Sequence, residues 1–229
     1  MTLSRRLFVQ GSAAIAATAA GASALPGLAP ALTSSTSLAP STEGASGLVT
    51  GVVKPLPFAE LPGFLGKEQL RWHHESHYGG ALKAFVGFDA SPTGNHRPRV
   101  QRMNSVLLHE TYFDNMTATP GNAGAATNAA LVARFGSFDT WREDFATAAK
   151  AAAGWAVLAF HPTNKKLYHV VTDSHDDGPA WLGVPLLVID MYEHSYYLDF
   201  QNKKADYVEG FLGHVDWQEV ERRLRACQG

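Results

Sequence analysis

A short, wholly apolar run that ends in a carboxylate constrains the fold of this chain more than any other feature. Residues 185–189 (PLLVI) are apolar at every position, and Asp190 follows them directly. Such a run without alternation is typical of a strand that is buried on both faces. We therefore expect the Asp190 carboxylate to emerge from a buried strand, where it is costly unless a cation compensates its charge.

Four histidine- or acid-rich segments include candidate partners for such a cation; they are residues 73–77, 109–113, 173–176 and 190–194. His194 follows Asp190 by four residues, within reach of the same ion. His73 and His109 lie on the apolar stripes of two predicted helices. One buried histidine alone is more often a hydrogen-bonded core residue than a ligand. Three imidazoles together with one carboxylate, however, suit iron, manganese or zinc.

The order of predicted elements indicates an α+β fold. Helical spacing covers residues 67–88 and 99–116, and Pro120–Gly124 then breaks the chain. The second part carries both helices and a three-stranded sheet. Its predicted helices cover residues 128–134, 137–152, 195–200 and 206–227, and its predicted strands cover residues 155–160, 166–171 and 185–190. Ser137 is expected to cap the helix that follows it.

The first residues are typical of an export signal. Arg5 and Arg6 precede an Ala-rich apolar stretch, and Ala22-Ser23-Ala24 gives a small-residue cleavage pattern. The paired arginines resemble a twin-arginine signal. We expect a signal peptide over residues 1–24 and a flexible linker over residues 25–47, the alternative being a short membrane anchor that is never cut. An exported protein of this kind is periplasmic or extracellular.

Composition excludes several classes of function. The chain has 229 residues and a formal net charge of -2, with no basic run, which argues against a nucleic-acid partner. Its single cysteine, Cys227, allows neither an internal disulfide nor a Cys-based metal site. No stable membrane partner is expected beyond the export machinery.

Taken together, these motifs resemble the iron/manganese superoxide dismutase family. The stretch 186–200, LLVIDMYEHSYYLDF, is similar to the family motif D-x-W-E-H-x-[FY]-Y. The segments 73–77 and 109–116 resemble the family's two ligand helices, and 55–58 resembles its N-terminal loop. The resemblance implies an antiparallel helical hairpin over residues 48–119, and over residues 120–229 an α+β metal-binding domain with a three-stranded antiparallel sheet.

The resemblance also implies roles for individual residues. It makes His73, His109, Asp190 and His194 the ligands of one iron or manganese ion per subunit, with a solvent molecule as fifth ligand. It implies a homodimer, because other residues at or beside this site match residues that meet across a two-fold interface; these are Glu193, His194, His77 and Tyr197. His175 falls at the position of the family's hydrogen-bond donor to the bound solvent, although a histidine in an Asp-rich surface turn is the alternative.

Several aromatic positions depart from the family pattern. Ala81 stands where the family has a gateway Tyr, while Phe113 and Tyr192 replace Trp. The resemblance implies superoxide as the small-molecule substrate, which is disproportionated to oxygen and hydrogen peroxide. The departures keep open a non-catalytic metal-binding homologue with altered surroundings of the metal. A zinc hydrolase with the same ligands is a further alternative, although four protein ligands leave zinc little room for substrate.

Overall fold

The first part of the folded chain is a helical hairpin, as predicted. The computed structural model describes residues 44–91, 93–177 and 181–228, so the predicted signal peptide and nearly all of the predicted linker lie outside the described residues. Within this part, the short helix α1 precedes two long helical segments. The bounds are α1 Gly47–Thr50, α2 Lys67–Trp72, a π-helical turn His73–Tyr78, α3 Gly79–Asp89 and α4 His96–Asp114.

The π-helical turn changes which side chains of the first long helix are buried. A π-helix places residues i and i+5 on one side, and His73 and Tyr78 are both buried. An α-helical period of 3.6 residues would place His77 on the same side as His73, but His77 is exposed in the single chain. The α-helical period of 3.6 residues does not hold across these six residues.

The second part of the chain combines helices with a three-stranded antiparallel sheet. Helices α5 and α6 precede the sheet, and the Ser137 hydroxyl accepts a hydrogen bond from the Thr140 N–H, which confirms the predicted cap. The strand order is β2-β1-β3. The bounds are α5 Ala125–Phe135, α6 Phe138–Ala151, β1 Trp155–His161, β2 Lys166–Thr172 and β3 Val184–Asp190. In the register of β1 and β3, Trp155 is paired with Asp190.

The chain after the sheet forms short helical elements and two terminal helices. These are a 3-10 turn Glu193–Ser195, α7 Tyr197–Phe200, α8 Lys204–Leu212 and α9 Trp217–Gln228. The single helix predicted over residues 206–227 was therefore wrong. The Asp216 carboxylate accepts from the N–H groups of Gln218 and Glu219, so a new helix begins there. Among the described residues, no helix combines the length and apolar character needed to cross a bilayer.

A buried amide side chain fixes the hairpin against the sheet. Asn115, directly after α4, accepts a hydrogen bond from the Val188 N–H at 2.7 Å and donates one to the Tyr112 carbonyl at 2.9 Å. Val188 lies in β3, which ends at Asp190. The carboxyl-terminal half of α4 therefore packs beside the strand that carries the candidate carboxylate ligand.

Candidate metal centre

Four side chains from four elements of the fold converge on one point. His73 comes from the π-helical turn, His109 from α4, Asp190 from the end of β3 and His194 from the 3-10 turn. The Nε2 atoms of the three histidines lie 3.1, 3.7 and 3.6 Å, in that order, from Oδ2 of Asp190. One ligand atom from each residue lies within 4.8 Å of the others, so the four could share one ion.

The protonation of His109 supports a cation at this point. Its Nδ1 lies 2.7 Å from the Ser105 carbonyl, which can only accept, so Nδ1 carries the proton and Nε2 keeps its lone pair. Among the described residues, neither Nε2 of His109 nor Nε2 of His194 has a hydrogen-bond partner. Buried nitrogen lone pairs that face a carboxylate oxygen need a positive partner. The donor set therefore fits a metal ion.

The pKa values of His73, His109 and Asp190 also favour a cation at this site. Burial, followed by the neighbouring His73, lowers the pKa of His109 well below its ordinary value, and burial also lowers the pKa of His73. Burial opposes ionisation of Asp190, but polar contacts from His194 and His73 outweigh it and hold the pKa of this carboxyl well below its usual range. The site thus combines the neutral imidazoles of His73 and His109 with the ionised carboxylate of Asp190, an arrangement that favours a cation.

The backbone and carboxylate of Asp190 are held by hydrogen bonds from three other residues. Its Oδ1 accepts from the Tyr192 N–H at 2.9 Å. Its carbonyl accepts from the Ser195 hydroxyl and from the Tyr207 hydroxyl, each at 2.8 Å. Only the fold brings Tyr207, on α8, back to the end of β3. These contacts leave Oδ2 directed toward the three histidines.

His175 lies beside the ligand cluster, with one ring nitrogen already bound. The Trp155 indole N–H donates to Nδ1 of His175 at 3.0 Å, so a neutral His175 carries its proton on Nε2. Burial lowers the pKa of His175, which favours this neutral form. The His175 ring centroid is 6.3 Å from that of His109. The predicted hydrogen-bond donor is therefore a neighbour of the site rather than a ligand.

Three of the four residues predicted to meet a second subunit lie at the surface of this chain, while the fourth, His194, is half-buried. Glu193 and His77 are exposed, and Tyr197 retains 49% of its exposure. The His77 ring stacks on the ring of His194, with centroids 3.6 Å apart and planes 5° from parallel. Partial burial, followed by the proximity of His194 and His73, lowers the pKa of His77 to about 4.

The aromatic residues that depart from the family pattern pack around the ligands. The Phe113 ring centroid is 5.0 Å from that of His73, and Tyr192 stacks on His194 at 5.2 Å. Burial raises the pKa of Tyr192 to about 12, and its hydroxyl donates to the Asp173 carbonyl at 3.3 Å. Ala81 is buried and offers no proton donor.

Comparison with known proteins places this geometry in a family. The family model for the C-terminal domain of iron/manganese superoxide dismutases matches residues 123–223. "Superoxide dismutase [Mn] 1" of Halobacterium salinarum is 31% identical over 186 residues, which cover 74% of this chain and 92% of that protein. "Superoxide dismutase [Fe]" of Cupriavidus metallidurans is 32% identical over 185 residues, covering 74% of this chain and 92% of that protein.

The matched region includes most of the described chain, and the geometry agrees with the match. The model for the C-terminal domain spans Asp190 and His194, while His73 and His109 complete the cluster from the hairpin. The chain belongs to the iron/manganese superoxide dismutase family.

Proposed function

We propose that this chain disproportionates superoxide to oxygen and hydrogen peroxide at one iron or manganese ion per subunit. His73, His109, Asp190 and His194 hold the ion, and a solvent molecule takes the fifth position. The observation that carries this proposal is the approach of three imidazole Nε2 atoms to one Asp190 oxygen, in a chain whose relatives are named superoxide dismutases.

The chain's own residues supply charge balance and proton placement. A bound iron or manganese ion provides the one-electron oxidation and reduction that two superoxide anions require in turn. Three neutral imidazoles and one carboxylate leave a divalent ion with one net positive charge, which attracts an anionic substrate. Two protons are consumed for each peroxide formed, and we infer that His175 supplies a proton donor beside the site, because the Trp155 bond to Nδ1 leaves the proton of the neutral ring on Nε2.

The choice of metal is tested together with the activity. Apoprotein is loaded separately with Mn and with Fe, and superoxide decay is followed after pulse radiolysis. We expect turnover with at least one of the two metals. A protein that retains Fe or Mn at one ion per chain without turnover would instead be a non-catalytic homologue, a candidate favoured by the missing hydroxyl at Ala81. Zinc after native purification would support the hydrolase alternative.

We propose that the chain acts as a homodimer. Glu193, next to the ligand His194, is exposed together with His77 and Tyr197, so the surface beside the site carries charged and aromatic groups suited to a second copy. Light scattering on the eluted protein measures the mass directly. Glu193→Ala and Tyr197→Ala are expected to shift the dimer toward monomer, while Glu60→Ala, at an exposed position outside this set, leaves the mass unchanged. A monomeric wild-type protein would contradict this proposal.

We propose export of the folded, metal-loaded protein through its paired arginines. Arg5 and Arg6 precede an apolar stretch and the cleavage pattern at Ala22–Ala24. Fractionation of cells that express the wild type and an Arg5→Lys/Arg6→Lys variant tests this directly. The variant is expected to stay in the cytoplasm, and N-terminal sequencing of the exported wild type gives the cleavage site. Equal export of both proteins would exclude the twin-arginine route.

A further inference from the structure

We propose that Gln69 is a positioning residue that holds the His194 ligand against the helix carrying His73. The inference rests on the proposed metal site, although it concerns a residue outside the ligand set. Gln69 is 1% exposed, and it lies on α2, four residues before His73. It is separated from His194 by 125 residues of sequence.

Both ends of the Gln69 amide are bound to residues 194–199, which run from the 3-10 turn with His194 into α7 and are called the 194–199 turn below. Its Nε2 donates to the His194 carbonyl at 2.7 Å, and its Oε1 accepts from the Leu198 N–H at 3.1 Å. One side chain therefore holds the turn at two points, and the requirements of both bonds fix the orientation of the amide. A single bond would leave the turn free to pivot.

A second contact holds the same turn to the start of the same helix. Oδ2 of Asp199 accepts from the Gly66 N–H, the residue before α2, at 2.7 Å. A Cβ at position 66 would lie 3.2 Å from the Asp199 carboxylate, so the two segments approach closely. The 194–199 turn is thus bound to α2 and the residue before it by three hydrogen bonds, which connect the segments that carry the candidate ligands His73 and His194.

Among the four candidate ligands, His194 has the side chain that its surroundings constrain least. His73, His109 and Asp190 are at most 2% exposed, whereas the His194 side chain is 24% exposed. Ser105 orients the His109 ring by a hydrogen bond, but no hydrogen bond to the His194 ring is found among the described residues. Its orientation then depends on its backbone and on ring stacking, and Gln69 binds that backbone directly.

Two variants of Gln69 test this role in the metal-loaded protein. Gln69→Met removes both hydrogen bonds at similar volume. Gln69→Glu keeps an acceptor for Leu198 and loses the donor to His194. We expect Gln69→Met to release its metal to a chelator about 10–100-fold faster than the wild type. Both variants are expected to alter the optical and paramagnetic resonance spectra of the bound ion, because one ligand changes its angle.

The control is a variant that is destabilised elsewhere. Phe145 is fully buried on α6, so Phe145→Leu lowers the melting temperature while the spectrum of the bound ion stays that of the wild type. If Gln69→Met lowers only the melting temperature, with the wild-type release rate and spectrum, Gln69 is merely structural and the proposal is overturned. If Gln69→Met fails to fold, the spectrum of Gln69→Glu decides in the same way.

The test of Gln69 can be distinguished from the test of the proposed superoxide turnover. Wild-type protein that binds the ion without superoxide turnover would overturn the proposed function and leave the role of Gln69 intact. Equal metal release from wild type and Gln69→Met, with turnover present, would overturn the role of Gln69 alone.

Discussion

At the scale of single residues, hydrogen bonds from neighbouring groups orient the candidate ligands so that their free lone pairs can bind a cation. Ser105 fixes the proton of His109 on Nδ1, and Tyr192 occupies one carboxylate oxygen of Asp190. The remaining nitrogen and oxygen lone pairs then point at one another, which is unfavourable without a positive charge between them. The carboxylate is the one anionic member of the set, so the charge balance of the site depends on it.

Asp190→Asn tests that dependence. The amide keeps the size of the side chain but removes its charge, so we expect metal affinity to fall by more than about 100-fold. Elemental analysis after purification, with Asp206→Asn as an exposed control on α8, measures the loss. Full metal content in Asp190→Asn would refute the assignment of this residue as a ligand.

His175 lies beside the candidate ligands and is not one of them, so its substitution is expected to affect turnover and not metal binding. His175→Ala is expected to keep its metal while superoxide turnover falls by about 10–100-fold, since the donor N–H is lost. His175→Gln restores a donor and is expected to recover part of the rate. Metal content and pulse radiolysis are measured on the same samples. Wild-type turnover in His175→Ala would show that the histidine is only a surface-loop residue.

The sequence could indicate the ligands but not what holds them. His73, His109, Asp190 and His194 fall in motifs that resemble a known family, so the sequence alone is enough to name them as candidate ligands. Gln69 contacts a carbonyl 125 residues away. A polar residue one helical turn before a candidate ligand is a weak signal, because helices carry many such residues. Hydrogen bonds of this kind follow from the tertiary fold rather than from local pattern.

At the scale of elements, local chemistry predicted most boundaries, and tertiary contacts decided the rest. The three strands and the Ser137 cap follow from apolar runs and a capping residue. The π-helical turn at His73–Tyr78 was missed because a 3.6-residue period cannot represent it. The break before α9 was also missed, although Asp216 followed by Glu219 is the spacing of a capping box.

The short helix α1 shows how closely one element can depend on a single glycine. Gly47 is buried, and its N–H donates to the Glu110 carboxylate at 2.8 Å. That same carboxylate oxygen accepts from the Tyr78 hydroxyl. A Cβ at Gly47 would lie 2.9 Å from a Leu82 methyl group and 3.0 Å from the Val52 carbonyl. The element therefore packs on the hairpin only because this position has no side chain.

Gly47→Val is expected to destabilise the protein by about 1–3 kcal/mol through overpacking. Each kcal/mol lowers the melting temperature of a domain of this size by roughly 2–4 °C, which calorimetry resolves. Gly121→Val is the matched control, because a Cβ there meets nothing within 4 Å. Equal melting temperatures for the two variants would contradict the close packing of α1.

At the scale of the whole molecule, a set of partly or fully buried histidines links stability to pH. Burial is the largest cause of the lowered pKa at each of them; they are His73, His77, His109, His169 and His175. A histidine whose pKa is lowered in the folded state takes up its proton more readily when the chain unfolds. Protonation therefore favours the unfolded state over the interval between the two pKa values.

The metal-free protein should consequently lose stability as the pH falls. The loss begins near the ordinary histidine pKa of about 6.5. It continues to about pH 4, the value to which the pKa of His77 is lowered. The lowered pKa of Asp190 adds to this loss only near and below pH 4, where the carboxyl takes up a proton in the unfolded chain but stays ionised in the folded one. Urea unfolding at pH 7.5, 6 and 5 measures the effect, and a free energy of unfolding that rises toward pH 5 would contradict it.

X-ray absorption at the edge of the bound metal tests the shared four-residue site most directly. This measurement counts the imidazole rings around the metal from their scattering. The oxygen atoms of carboxylate and solvent contribute a separate part of the signal. The arrangement of His73, His109, Asp190 and His194 predicts an iron or manganese ion with three imidazole nitrogens and an oxygen from a carboxylate. A shell made only of oxygen atoms, or one with fewer than three imidazoles, would show that the ion is bound elsewhere and would contradict the account.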